Sequence, residues 1–309
     1  RGFQQNIAIA EGNSVIDWSA LATDEGSPWG VTVGPDDRVY VFVLASNRDD
    51  PKHGGIAVGD AVWSTGSIET ILDFSDLSNH NPISDAIVVG LGADRVLYTV
   101  EQTSDRTGAD NDSATDGDGF DTSEIKRYAL GESSGLFTGA GEVVIPTSTM
   151  KNAFRIEMDT AGFLYVVQTS YDSLAVADNI FGLSKWDISG ASPVEVWHVD
   201  LDAAPDHNDV ANAMNARATR FNGLALDQSR GRVYVSRKAT ARPLHNVIGY
   251  DMETGAFWDS FAASESVVGG VIGDLPGGGG FSIRDVAVDA AGNVLVVNSS
   301  FEALRAYSP

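Results

Sequence analysis

The chain has 309 residues, 43 of them Asp or Glu and 20 Lys or Arg, for a formal net charge of −23, and it contains no cysteine. Such an excess of acid repels phosphate backbones and anionic headgroups, which argues against nucleic-acid and membrane-surface partners. The lack of cysteine excludes disulfides, thiolate zinc sites, iron–sulfur clusters and a cysteine nucleophile.

Hydrophobic residues make up 43% of the chain, enough to bury a sizeable core. No run approaches the ~18 apolar residues of a membrane span. The acids are 31 Asp to 12 Glu and the bases 15 Arg to 5 Lys. Short carboxylates and few lysines suit a protein that stays soluble in salty or calcium-containing surroundings. There is no signal peptide and the chain starts at Arg1, so a processed or excised secreted or cell-surface protein is expected. No linker composition interrupts it, which predicts one domain over residues 1–309.

In chain order, residues 1–27 come first, with NIAIAEGNSVIDW as an alternating strand. WGVTVGPDDRVYVFV follows from Trp29, and AVWSTGSIETILDF from Ala61 is read as the next strand pair. DAIVVGLGADRVLYTV from Asp85 leads into an acidic loop over residues 104–124 and then SEIKRYAL from Ser123. AFRIEMDTAGFLYVV from Ala153 and FGLSKWDIS from Phe181 precede an insertion over 201–217, where a short helix is expected. FNGLALDQSRGRVYVS from Phe221 and NVIGYDMETGAFWDSF from Asn246 precede a glycine-rich insertion over 262–280. IRDVAVDAAGNVLVV from Ile283 and ALRAYSP end the chain.

Five of these segments are one hairpin repeated: an alternating run, a polar Asp/Gly turn that needs positive φ, and a β-branched or aromatic run. Tyr40, Leu97, Tyr165, Tyr234 and Leu295 hold equivalent places, 57, 68, 69 and 61 residues apart. Each interval has room for a second strand pair. Four antiparallel strands repeated around an axis make a β-propeller. The fold expected is therefore all-β: a single propeller of four-stranded antiparallel blades, five favoured and six the alternative. The last blade lacks an outer strand, and the N-terminal segment is expected to supply it, closing its own ring or being donated to a neighbour.

The segment SIRDVAVDAAGNVLVVNSSFEALRAYSP resembles a full NHL-type repeat, and the pattern over Trp29–Pro309 is similar to NHL and related six-bladed propellers. The departure is the count, since five units are found where that family has six. A sixth, degenerate blade would have to lie in residues 1–27 or 262–280.

Two metal sites are expected. Asp110, Asp112, Asp116, Asp118, Asp121 and Glu124 crowd one loop, and calcium takes six to eight oxygen ligands. The fragment DGDGFD resembles the D-x-D-G-x-x-D loops of thrombospondin type 3 and dockerin-like repeats, a resemblance that implies Asp116, Asp118 and Asp121 as calcium ligands. The flanking helices are absent, and a solvated acidic loop is the alternative. Separately, RFNGLALD resembles the PNGLA segment of gluconolactonase/senescence-marker propellers, and DEGSPWG resembles their EGP-x-W segment. That resemblance implies Glu25 and Asn222 as ligands of a metal at the channel mouth. Ser236 and Arg237 stand where the family has its acid/base carboxylate, so half of the lactonase machinery is missing. The structural alternative is that Asn222 and Gly223 only shape the start of a strand.

No histidine pair has helical metal-ligand spacing, and neither a nucleophile elbow nor a phosphate loop is present. Trp63, Trp186, Trp197 and Trp258 are expected between blades, and Trp29 at the channel mouth. The function expected is a secreted or cell-surface, non-enzymatic propeller acting in protein–protein contact, with self-assembly as one form of it. The alternatives are a metal-dependent hydrolase (lactonase or glycosidase) at the channel mouth and a sugar-binding lectin-like propeller.

Overall fold

The computed structural model describes residues 3–4, 26–45, 55–60, 69–73, 83–102, 123–132, 141–150, 153–169, 181–201, 220–239, 247–257, 281–298 and 303–307. Among these residues there is no α-helix; 3-10 conformation occurs at Gly92–Asp94 and at Leu201, the rest of the 201–217 insertion lying outside the described residues. The described residues are all-β, in three antiparallel four-stranded sheets and one of seven strands. It divides into two compact units, Ala8–Ile156 and a second made of Arg1–Ile7 with Glu157–Pro309.

The unit Ala8–Ile156 holds two sheets. The first is β2 (Gly26–Val33), β3 (Arg38–Ala45), β4 (Gly55–Asp60) and β5 (Glu69–Asp73), in that order, and β1 (Phe3–Gln4) belongs to the other unit. The second is β6 (Ile83–Val89), β7 (Val96–Gln102), β8 (Ser123–Ala129) and β9 (Glu142–Ile145). Tyr40, Phe42, Ile56 and Val58 of the first sheet share one buried cluster with Ile83, Ala86, Val88, Leu97 and Tyr128 of the second. The two sheets therefore pack face to face through their inward side chains. β6 is buried along almost its whole length, which is why ISDAIVV reads as a run rather than an alternation.

One expectation shifts here. The third strand of the first sheet is Gly55–Asp60, ahead of the segment from Ala61, of which Glu69–Asp73 supplies the fourth strand. GIAVGD has two glycines and reads as a turn; its strand is imposed by pairing along β3 from Arg38↔Asp60 to Val43↔Gly55.

β10 (Ala153–Met158) contains the division between the units and heads a sheet with β11 (Phe163–Thr169), β12 (Phe181–Asp187) and β13 (Val194–Asp200). Next come β14 (Arg220–Asp227), β15 (Arg232–Ala239) and β16 (Val247–Asp251), with Phe257 bridged to Tyr250. The last sheet is β17 (Phe281–Val288), β18 (Val294–Asn298) and β19 (Ala303–Tyr307), and β17 also touches β15 at two positions. Its outer strand is β1, paired as Phe3↔Ala306 and Gln4↔Arg305. That strand lies just ahead of the predicted NIAIAEGNSVIDW, and residues 5–25 lie outside the described set.

Two clusters hold this unit. Tyr165, Leu183, Leu224, Val235, Ile248 and Tyr250 pack the sheet of β11 and β12 against that of β14 to β16. Ala225, Tyr234, Val286 and Val296 do the same for the last sheet. Trp186 is buried; Trp197 meets Tyr165 of its own sheet edge-on, ring centroids 5.9 Å apart, and donates its indole N–H to the Met252 carbonyl at 3.2 Å, so Trp197 lies between sheets as expected. Trp63 and Trp258 lie outside the described residues.

The turns of the repeated hairpins are tied by aspartate. Asp159 Oδ1 accepts the N–H groups of Ala161 (3.0 Å) and Phe163 (2.9 Å), and Gly162 takes φ +89°. Asp289 repeats this with Ala291 (2.9 Å) and Asn293 (2.8 Å), and Gly292 takes φ +79°. Part of the chain's acidity is thus spent on turns.

Candidate functional site

The first strand of four hairpins carries the same irregularity. The register shifts between Pro28 and Gly30, between Ile83 and Asp85, between Phe221 and Gly223, and between Ile283 and Asp285. Trp29, Ser84, Asn222 and Arg284 are the skipped residues. A bulge bends its strand and re-aims the side chains beside it, and bulges gather at functional sites. Gly30, Asp85, Gly223 and Asp285 follow the bulges, and Arg155 of β10 holds the matching place four residues before Asp159 of its turn.

In the unit Ala8–Ile156 this level carries buried polar contacts. Asp85 Oδ1 lies 3.2 Å from Arg155 Nη1, and Asp85 Oδ2 accepts the Ile156 N–H at 2.8 Å. Ser84 Oγ donates to the Phe154 carbonyl at 3.1 Å. The Arg155 guanidinium stands 5.3 Å over the Phe154 ring. Both charges are buried, and each answers the other.

A second buried set lies on β7 and β8. Glu101 has no exposed surface, and its Oε2 accepts from Lys126 Nζ at 2.7 Å. Its Oε1 accepts from Thr99 Oγ1 at 3.2 Å and from the Tyr128 hydroxyl. Glu124 completes the set 3.0 Å from Lys126. Burial works to lower Lys126, but Glu101 and then Glu124 outweigh it and hold the ammonium above its ordinary range. Burial first, and Glu101 second, push the Tyr128 phenol well up.

In the other unit the bulge of β14 meets the strand that follows it. A methyl placed on Gly223 would stand 2.6 Å from Ser236 Oγ, 2.7 Å from Asp285 Oδ1 and 2.7 Å from the Val286 nitrogen. Gly223 therefore lets a carboxylate and a hydroxyl approach its backbone. Asp285 Oδ1 accepts the Val286 N–H at 2.9 Å, and the buried Ser236 hydroxyl has no hydrogen-bond partner among the described residues.

The predicted site residues distribute unevenly. Glu25, Asp110, Asp112, Asp116, Asp118 and Asp121 lie outside the described residues. Glu124 lies on β8 in its ion pair with Lys126, and Asn222 is the skipped residue of the β14 bulge. Among the described residues no three His, Asp or Glu side chains converge as a metal site would require. Asp85, Arg155, Lys126 and Asp285 were not singled out from sequence. The place that three of them share in the repeat, four or five residues before the turn, is the signal that could have found them.

No protein-family model matches the chain, and no curated protein matches it. Solved structures do. A nidogen/laminin complex matches at 11% identity over 91% of this chain and 75% of that one, with a TM-score of 0.48. A luciferin-regenerating enzyme matches at 12% identity over 93% and 78%, with a TM-score of 0.48. A calcium structure of a Trichoderma reesei carbohydrate-active enzyme of family AA12 matches at 10% identity over 90% and 80%, with a TM-score of 0.49. Likenesses at this level assign neither substrate nor partner.

Proposed function

We propose that this chain is a five-bladed β-propeller that works outside the cell through protein–protein contact rather than catalysis. The repeated four-stranded sheets, packed face to face within each unit, support the propeller. The observation that carries the contact reading is β13. This outer strand leaves Val194 59% and Val196 47% exposed. Apolar side chains held in water on a sheet edge are a ready joint for another chain. The buried acids Asp85 and Glu101 are engaged by Arg155 and Lys126, so they act as struts. Calcium in the loop of Asp110, Asp112, Asp116, Asp118, Asp121 and Glu124 would serve stability, by relieving the repulsion of its carboxylates.

A second reading has one observation in its favour. Asp285 lies beside the bulge at Asn222, so a carboxylate stands near the strand position that the lactonase resemblance singles out. A metal-dependent hydrolase would use that level of β14 and β17.

The test is light scattering and electron microscopy with and without calcium, on the wild-type chain and on Val194→Lys with Val196→Lys. Assemblies that the double variant dissolves, at unchanged melting temperature, support the contact reading. Monomers at all concentrations, together with divalent-metal binding lost in Asp285→Asn, overturn it in favour of the hydrolase.

A further inference from the structure

Among the described residues β13 pairs only with β12 and forms the edge of its sheet. Val194, Glu195 and Val196 are exposed in succession, so neither side of the strand's first half is covered. Residues opposite one another in a ladder share a side of the sheet. Val194, Trp197 and Val199 stand opposite Asp187, Lys185 and Leu183, and Trp197 and Val199 pack at the rim of the unit's core. Glu195, His198 and Asp200 stand opposite Trp186, Ser184 and Gly182, on the other side. The edge is therefore apolar on one side and acidic on the other. The charge around it is also one-sided. From Phe181 to Leu201 the acids are Asp187, Glu195 and Asp200, and Lys185 is the sole lysine or arginine. Lys185 is turned inward, with its Nζ 3.1 Å from the Met252 carbonyl. Glu195 has His198 Nδ1 at 3.7 Å, a group charged only when protonated. The outer strand β9 also exposes a valine, Val143, but its Glu142 is gripped by Arg127 through hydrogen bonds of 2.8 and 2.9 Å.

We propose that β13 takes an extended basic segment of another protein, in which apolar residues alternate with lysine or arginine. This rests on the contact reading above and names its partner. An added strand is held by main-chain hydrogen bonds and selected by its alternate side chains. Successive residues of such a strand fall on opposite sides of the sheet. Its apolar residues then lie beside Val194, Trp197 and Val199, and its cations beside Glu195 and Asp200. A second copy of this chain fits less well. Its own β13 would set Glu195 and Asp200 on the same side as their like, and each copy carries a net charge of −23.

The test is fluorescence anisotropy on the full chain with two labelled peptides of one composition, KVKVKVK and KKVVVKK. So acidic a protein attracts any cation, and the margin between two peptides of equal charge isolates the alternation. The expected result is that KVKVKVK binds about tenfold more tightly than KKVVVKK, and that Val194→Ser with Val196→Ser abolishes the margin at unchanged melting temperature. Glu195→Gln should weaken binding about two- to fivefold and flatten its salt dependence. Val143→Ser on β9 should leave binding unchanged. KVKVKVK binding no tighter than KKVVVKK overturns the proposal. So does a margin that survives Val194→Ser with Val196→Ser, or one that Val143→Ser reduces as much. Assemblies of the chain alone that Val194→Lys with Val196→Lys dissolves show that the strand takes a second copy, which overturns this partner and leaves the contact reading standing. Monomers that bind neither peptide overturn the partner, and the contact reading falls with it when divalent-metal binding lost in Asp285→Asn is also found.

Discussion

Asp85 and Arg155 meet at 3.2 Å although 70 residues separate them, joining β6 to β10 at the level of the strand bulges. Their side chains are only 12% and 10% exposed. Removing one partner of a buried pair strands the other charge, at a cost of about 3–5 kcal/mol. Arg155→Met should therefore lower stability by that amount in urea melts. Asp85→Asn should cost a similar amount, because an amide oxygen turned to the Ile156 N–H sets the amide NH2 against Arg155 Nη1 and leaves that cation without its counter-charge. If Arg155→Met melts like the wild type, the pair is not a strut.

The tyrosines that close the turns predict an alkaline limit. Burial first, and the hydrogen bond to Asp36 second, push Tyr40 up to about 12. Its hydroxyl donates to Asp36 Oδ2 at 2.7 Å and lies 3.3 Å from Arg95 Nη1. A phenol whose folded pKa exceeds the unfolded value of about 10 contributes stability that is complete below pH ~10. That stability is lost as the pH rises from there toward about 12. Tyr128 and Tyr165 are raised further for the same leading reason, so their loss begins at the same pH and runs on beyond that of Tyr40. Thermal melts from pH 8 to 12 should fall above pH ~10, and Tyr40→Phe should fall less steeply while starting from a lower plateau. Equal slopes in the two proteins would remove Tyr40 from this account.

The hairpins were legible because a turn states its own needs. Asp159-Thr-Ala-Gly162-Phe163 and Asp289-Ala-Ala-Gly292-Asn293 carry the acceptor and the positive-φ glycine within five residues. The strands between them show in their β-branched runs for the same local reason. Gly55–Asp60 was missed because its strand character comes from β3 and not from its own residues. The polar level of the fold was missed for a related cause. Asp85 and Arg155 lie 70 residues apart, and Gly223 and Asp285 belong to successive hairpins, so each pair exists only once the sheets have packed. Lys126 carries no local signal within SEIKRYAL, and only the register of β7 on β8 sets Thr99 opposite Lys126 and Glu101 opposite Glu124.

The turn aspartates predict the acid limit, with the opposite sign. Hydrogen bonds from Thr254 and Glu253 hold the Asp251 carboxyl below its ordinary range. Asn293 and the backbone of its turn do the same for Asp289. A carboxylate whose folded pKa is depressed contributes stability present above the unfolded value of about 3.9, and this is lost as pH falls through the folded value. Melting temperature should therefore decline below pH ~4. Asp289→Asn keeps an acceptor for Ala291 and Asn293, so it should melt near the wild type at pH 7 and decline less in acid. Asp289→Ala removes the acceptor and should be less stable at both. An acid limb unchanged in Asp289→Asn would show that this turn plays no part in it.

Two glycine substitutions separate close packing from backbone conformation. A methyl on Gly162 meets nothing within 4 Å, so Gly162→Ala should cost only the strain of its φ of +89°, about 1–2 kcal/mol. Gly223 has no positive φ, but its methyl would press on Ser236 Oγ, Asp285 Oδ1 and the Val286 nitrogen, all within 2.7 Å. Strand β17 would have to shift away from β14, with an overpacking cost of about 1–3 kcal/mol. The two costs are similar in size, so denaturant melts alone do not tell them apart. Amide exchange does: Gly223→Ala should raise exchange at Val286 and along β17, and Gly162→Ala should leave that strand protected. Unchanged protection of Val286 in Gly223→Ala would mean that Asp285 does not approach the β14 bulge, and the hydrolase reading would then lose the one observation that favours it.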